Sequence, residues 1–188
     1  MRWFTGCLGT LAGLALLAPP APADDQKPLK EGDKAPEFTL PVTQAAEKLP
    51  GFKDGTTSLS GLKGKNVVLF FFPRALTSGC TVESCGFRDL ADQFAKADTV
   101  VLGISNDKLD KQVEFTQKES LNFPLLADAD SSVCKAFGVL RPDGKAANRV
   151  TFVIDKQGVI RKVYTGVKPM GHPAEVLKFV QTNLTEGK

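Results

Sequence analysis

Hydrophobic positions along this chain fall into short solid runs and helical spacings that alternate with polar breaks. Val67 to Phe72 are six apolar residues in succession, rich in β-branched and aromatic types. The run is too short for a membrane span and has the pattern of a central strand buried on both faces. Pro73 stops it, because proline cannot continue a central ladder. Phe87, Leu90, Ala91 and Phe94 then recur at helical spacing, which predicts a helix running to about Ala97. Val100 to Ile104 is a second buried strand, closed by Ser105-Asn106-Asp107. A helix follows over roughly 108–120, its apolar face including Leu109, Val113 and either Phe115 or Thr116. Phe123 to Leu126 predicts a third strand, and 130–137 a short helix carrying Cys134. Val150 to Ile154 and Val159 to Tyr164, joined by Asp155-Lys156-Gln157-Gly158, form the clearest hairpin. Pro173 to Leu184 closes the chain as a helix. Ahead of all this, Ala35 to Leu40 alternates like a short edge strand. Residues 41–58, with Pro41, Pro50, Gly51 and Gly55, read as a loop with one helical turn at 44–48.

Strand, helix, strand, helix, strand, then hairpin and helix, describes an α/β domain with a central mixed β-sheet flanked by α-helices. A cysteine at the first strand–helix junction makes the layout thioredoxin-like. The N-terminus reads differently. Met1-Arg2, an apolar stretch from Leu8 to Ala18 and Ala21-Pro22-Ala23 have the form of a cleavable signal peptide over 1–23. A retained N-terminal anchor is the alternative. Residues 24–34, polar and rich in Pro and Lys, form a flexible leader, and 35–188 the folded domain. This reading places the protein outside the cytosol, exported to a periplasm or secreted, with no stable membrane association once the signal is cleaved.

Composition narrows the chemistry. The chain has 188 residues and a net charge of +3 with both signs mixed, so nucleic-acid binding has no support. A single histidine, His172, disfavours multi-histidine metal sites and histidine-dependent triads. Before Pro173 it reads as an exposed helix-start residue. Gly64-Lys65 lacks the glycine and the Ser/Thr of a phosphate loop: Leu59 and Asn66 stand in those places. Of the four cysteines, Cys7 lies in the signal stretch, leaving Cys80, Cys85 and Cys134. An odd number is no disulfide scaffold, and Cys134 on an apolar-faced helix reads as a buried small hydrophobe.

Cys80 is placed for reactivity. Thr77 or Ser78 caps the helix after Pro73, so Cys80 falls in its first turn, where free N–H groups and the helix dipole favour the thiolate. Cys85 lies five residues on, which in an α-helix is a climb of roughly 7.5 Å and a turn of about 140°. A disulfide wants Cα atoms closer than about 7 Å. The pair therefore cannot bridge while the helix is intact, and a bond between them would be a switch that requires unwinding.

The residues around this pair resemble those of the peroxiredoxins. Pro73-Arg74-Ala75-Leu76-Thr77-Ser78-Gly79-Cys80 is similar to that family's P-x-x-x-T-x-x-C loop, and Cys85 to the second cysteine of its Q-type, bacterioferritin-comigratory branch. Gly32 to Leu40, Cys85-Gly86-Phe87-Arg88-Asp89 and Arg149 to Asp155 extend the resemblance over about 31–184. It implies a thiol peroxidase for hydrogen peroxide and organic hydroperoxides, with Cys80 the peroxidatic nucleophile and Cys85 the resolving thiol of an intramolecular disulfide. It implies that Thr77 hydrogen-bonds thiolate and peroxide, that Arg149 supplies a fixed positive charge, and that Pro73 shields the site. It implies a thioredoxin-like dithiol reductant, a monomer, and no metal or organic cofactor. Ala75-Leu76 and Ser78 depart from the branch's usual polar pair and proline, and 41–58 is longer than usual.

Other readings stand beside this one. Cys80 and Cys85 as core thiols or a static disulfide, Thr77 as a cap alone and Arg149 as a surface charge are the structural alternatives. An exported thiol–disulfide oxidoreductase would show C-x-x-C, with two residues between the cysteines instead of four. A copper-binding assembly factor on the same fold would space its cysteines differently and add a placed histidine.

Overall fold

The structure is a computed structural model that describes residues 1, 29–43 and 49–185. The predicted signal peptide, the start of the leader and the helical turn at 44–48 lie outside the described residues. Strand β3 (Asn66–Phe71) is the central strand of a five-stranded sheet. Strands β4 (Thr99–Ser105) and β5 (Leu125–Ala127) run parallel to it on one side. On the other side β6 (Val150–Ile154) pairs antiparallel with β3, and β7 (Ile160–Tyr164) antiparallel with β6, which gives the sheet order β5-β4-β3-β6-β7. This is the mixed α/β sheet that the hydrophobic pattern predicts.

The six-residue run explains why β3 is central. Side chains alternate across a strand, so a strand apolar at every position must be covered on both faces. Val67, Leu69 and Phe71 enter one core with Phe137, Phe152 and Ile154. Val68, Phe70 and Phe72 enter the other, against α1 (Ser78–Lys96) and α4 (His172–Asn183) through Phe87, Phe94, Val176 and Val180. Phe70 and Phe87 stack with ring centroids 4.6 Å apart, fixing α1 to the strand that precedes it. Helices α1 and α4 cross closely at Gly86, where an added Cβ would lie 2.8 Å from Pro173 Cγ.

Several expectations shift. Helix α2 (Leu109–Lys118) buries Phe115 as expected but leaves Leu109 exposed and Val113 half-buried, and its other buried residue is Gln112. Gln112 is held by its amide, which donates to Ser105 Oγ at 2.8 Å and to the Leu126 carbonyl at 3.0 Å. The expected edge strand shrinks to β1 (Thr39–Pro41), paired antiparallel with β2 (Thr56–Ser58) inside the stretch read as loop. Residues 30–35, placed by the sequence mostly in a flexible leader, are bonded to the β6–β7 hairpin. Gly32 N–H donates to the Ile160 carbonyl, Ile160 N–H to the Asp33 carbonyl and Ala35 N–H to the Gly158 carbonyl. A short helix α3 (Ser132–Ala136) carries Cys134. Among the described residues no helix is long and apolar enough to cross a membrane.

Candidate active site

The site forms where β3 ends and α1 begins. Pro73 is half-buried after the strand, and the turn that follows is pinned from β4. Ala75 N–H donates to Asp107 Oδ2 at 2.7 Å, and the Ser105 hydroxyl donates to the same oxygen at 2.8 Å. Leu76 takes a positive φ of 63°, which turns the chain sharply into the helix. Thr77 is the N-cap residue by position: its carbonyl accepts from Thr81 N–H at 2.8 Å. Its hydroxyl does not cap the helix but donates to the Arg74 carbonyl at 3.0 Å.

Cys80 is the third residue of α1 and only 1% exposed. Its facing partner comes from the far side of the sheet. Antiparallel pairing sets Val150 opposite Phe71, so Arg149, one residue before β6, arrives beside the mouth of α1. Arg149 Nη2 lies 3.3 Å from Cys80 Sγ, in donor geometry. The sheet topology thus brings together a thiol and a guanidinium 69 residues apart. Gly79 lies against the guanidinium, where a Cβ would come into ordinary contact with Arg149 Nη2 at 3.4 Å.

A residue that sequence reasoning passed over completes the cluster. Glu83 is 0% exposed and its Oε2 accepts from Arg149 Nη1. Burial pushes its carboxyl up to about 7, against the pull of the Arg149 charge. The available signal was spacing: positions i and i+3 share a helix face, so a carboxylate three residues after Cys80 lies beside it.

Cys85 faces elsewhere. It is half-buried, and its Sγ lies 3.8 Å from Glu119 Oε2 beyond the end of α2. Burial, opposed by Arg88 and assisted by Glu119, raises its thiol above the ordinary value. Helix α1 is continuous through both cysteines, and Cys80, Cys85 and Cys134 are all free thiols. Cys134 is fully buried, as predicted. His172 corrects the sequence reading: it starts α4 but is 4% exposed, with Nε2 2.9 Å from the Thr151 hydroxyl and its ring edge-on to Phe87 and Tyr164. A concavity lined by Lys34, Leu62, Lys63, Lys65 and Lys156 holds none of the predicted residues. Among the described residues no group of three or more His, Cys, Asp or Glu side chains is arranged to hold a metal.

Residues 31–163 match the AhpC/TSA family. Peroxiredoxin Bcp of Escherichia coli strain K12 is 41% identical over 160 residues, covering 82% of this chain and 97% of its own. Among solved structures, the Mycobacterium tuberculosis peroxidoxin BcpB superposes with a TM-score of 0.72 at 36% identity, covering 82% of this chain and 98% of that one. Xanthomonas campestris peroxiredoxin Q does so with a TM-score of 0.68 at 30% identity, over 78% and 90%. The fold is the thioredoxin-like one of these proteins. The comparison also corrects the expectation of export. The Escherichia coli relative is matched along 97% of its length, so it carries no counterpart of the N-terminal stretch from which export was read. That stretch lies ahead of the family match, and no signal peptide is shown.

Proposed function

The chain belongs to the AhpC/TSA family and is a peroxiredoxin enzyme of the Bcp and peroxiredoxin Q kind, and from that premise we propose how its own residues turn over a peroxide. Cys80 is the nucleophile. Its sulfur attacks one peroxide oxygen, the O–O bond breaks, and the sulfur is oxidised to a sulfenic acid. The other oxygen departs as water or an alcohol after taking up a proton. Arg149 serves this step from both sides. Its donor already reaches the sulfur at 3.3 Å, and the same planar cation can hydrogen-bond the oxygen on which negative charge develops. That contact is the observation that carries the reading.

Thr77 and Pro73 frame the approach. The Thr77 hydroxyl donates to the Arg74 carbonyl, which leaves its lone pairs to accept the peroxide O–H. Half-buried Pro73 offers no N–H and keeps water from the sulfur. Ala75 and Leu76 make the rim apolar, which suits alkyl hydroperoxides beside hydrogen peroxide.

Cys85 completes the cycle. Its thiol attacks the sulfenic sulfur, a disulfide forms and water leaves. The two sulfurs stand on one continuous helix with different neighbours, so α1 has to unwind between them first. A thioredoxin-like dithiol then exchanges with the disulfide, becoming oxidised as Cys80 and Cys85 regain their hydrogens. One chain supplies both sulfurs, which fits a monomer. The C-x-x-C oxidoreductase and copper-binding alternatives are not favoured.

The test is peroxide consumption with thioredoxin as electron donor. Wild type is expected to sustain turnover, Cys80→Ser to have none, and Cys85→Ser to lose thioredoxin-supported turnover while still consuming one equivalent of peroxide. Full turnover by Cys80→Ser would contradict the assignment.

A further inference from the structure

One buried charge takes no part in the steps above. Glu83 lies between Cys80 and Cys85 in sequence and is wholly buried on α1. Its Oε2 pairs with Arg149 Nη1, whereas its Oε1 has no hydrogen-bond partner within the protein. The adjacent Ser84 hydroxyl is equally buried and equally without a partner. An unpaired buried polar atom is costly, and more so when the group is charged. The four residues that separate the cysteines therefore carry two atoms that gain by reaching water. Unwinding is the one event in the cycle that would take them there.

The charges around that carboxyl are few. Arg149, from the turn before β6, is its ion-pair partner and at the same time the donor to Cys80 on α1. From α4, His172 is close enough to Arg149 to feel its charge, and its Nδ1 lies 3.8 Å from Glu175. Burial, with some repulsion from Arg149, holds the His172 imidazole below its ordinary pKa. Tyr164 of β7 presents its ring to His172, and its phenol, raised to about 12 mainly by burial, stays neutral. Arg149 is the one charge among the described residues that acts directly on Glu83.

We propose that Glu83 is the positioning residue that couples the two chemical steps. Paired with Arg149, it holds the cation against Cys80 while α1 is wound; its release into water helps drive the unwinding that lets Cys85 reach Cys80. The inference rests on the peroxidase reading above, in which these two cysteines form the disulfide.

A pH signature follows. In the wound helix the Glu83 carboxyl titrates near 7, against an ordinary value of 4.5. Between those values the wound form binds a proton that the unwound form does not. Raising the pH through that window therefore favours the unwound form, by up to about tenfold per pH unit. Above about 7 the bias is complete. The disulfide form is the unwound one, so reducing it restores the wound helix. Two electrons and up to two protons go to the sulfurs, and within the window Glu83 takes up one proton more.

The experiment is to equilibrate the full chain with dithiothreitol and its disulfide from about pH 5 to about pH 8. The Cys80–Cys85 dithiol and disulfide are scored by intact mass after acid quenching, for wild type and Glu83→Gln. Below pH 7 the wild-type equilibrium constant is expected to change by up to about tenfold more per pH unit than that of Glu83→Gln, equal to about 30 mV per unit. Above it the two curves run parallel. Ionisation of the sulfurs can only lower the proton count below two, and His172, with its depressed pKa, would do the same if it were exposed. A count above two thus identifies Glu83 even if Glu83→Gln does not fold. Wild-type and Glu83→Gln curves (or Glu83→Ala, should Glu83→Gln not fold) that run parallel below pH 7 as well as above it, with the disulfide formed in both, overturn the coupling and leave the peroxidase reading intact. Absence of a Cys80–Cys85 disulfide overturns both.

Discussion

Cys80 and Cys134 occupy positions that a local description would hardly separate. Each is the third residue of its helix, and they are 1% and 0% exposed. What faces the sulfur differs. Cys80 meets the guanidinium of Arg149, and no side chain caps its helix. Cys134 meets the Asn106 side-chain oxygen at 3.7 Å, while Asp128 takes the N–H groups of Val133 and Cys134 at 3.1 and 2.7 Å. Burial first, and the Asp128 carboxylate after it, push the Cys134 thiol far above the ordinary range. Burial at the start of a helix therefore does not make a nucleophile. Under the proposed mechanism the difference lies in what the rest of the fold brings to the sulfur, a guanidinium at Cys80 and a carboxylate near Cys134.

Exchanging each sulfur gives the widest separation. Cys80→Ser is expected to lower peroxide turnover by roughly a thousandfold or more, since the nucleophile is gone. Cys134→Ala should leave turnover unchanged and cost about 1 kcal/mol of stability for the small cavity, read by urea titration. Equal losses in the two variants would erase the contrast.

Removing the charge instead of the sulfur is the next test. Arg149→Met is expected to slow the reaction with peroxide by about 10²–10³-fold, the scale of a lost donor to developing charge, in stopped-flow measurements. Arg149→Lys should recover only part of this, because an ammonium cannot reach sulfur, peroxide and Glu83 in one plane. On the other side, Asp128→Asn leaves an N–H of α3 facing an amide, for a loss of about 1–3 kcal/mol. It should also raise the rate at which iodoacetamide labels Cys134, without changing peroxide turnover.

The smallest effect belongs to the third cysteine. Burial is the main cause of the raised Cys85 thiol, and Glu119 a lesser one. Glu119→Gln is therefore expected to speed disulfide formation only about twofold at neutral pH, by freeing a little more thiolate. A tenfold change would mean that charge, not burial, dominates there too.

What could be read from the sequence followed local pattern. The run Val67 to Phe72 announces a central strand because every position is apolar, and Phe87 and Phe94 mark the helix face that covers it. Strand β1 is legible only as a longer edge strand from Ala35 to Leu40, and three-residue β2 not at all, since so few positions show no period. On α2, Leu109 and Val113 outweighed Gln112 in hydrophobicity, yet Gln112 is the buried residue because Ser105 and Leu126 bond its amide. His172 looked like a surface residue because the partners that bury it, Phe87, Thr151 and Tyr164, come from three other elements. Leader residues Gly32 and Asp33 look loose for the same reason: what ties them is the hairpin more than 120 positions later. At the site, Cys80 was legible from its place after Pro73, but nothing local distinguishes Arg149 from a surface charge. Its meeting with Cys80 is made by the pairing of Phe71 with Val150. Glu83 was hidden by its type, since a carboxylate reads as solvated unless a cation is known to wait for it.

Intact mass after one equivalent of hydrogen peroxide, on wild type, Cys80→Ser and Cys85→Ser, tests the central claim most directly. The expected result is rapid loss of two hydrogens in wild type, a trapped or over-oxidised Cys80 in Cys85→Ser, and no reaction in Cys80→Ser. Slow oxidation of every thiol alike, indifferent to which cysteine is replaced, would contradict it.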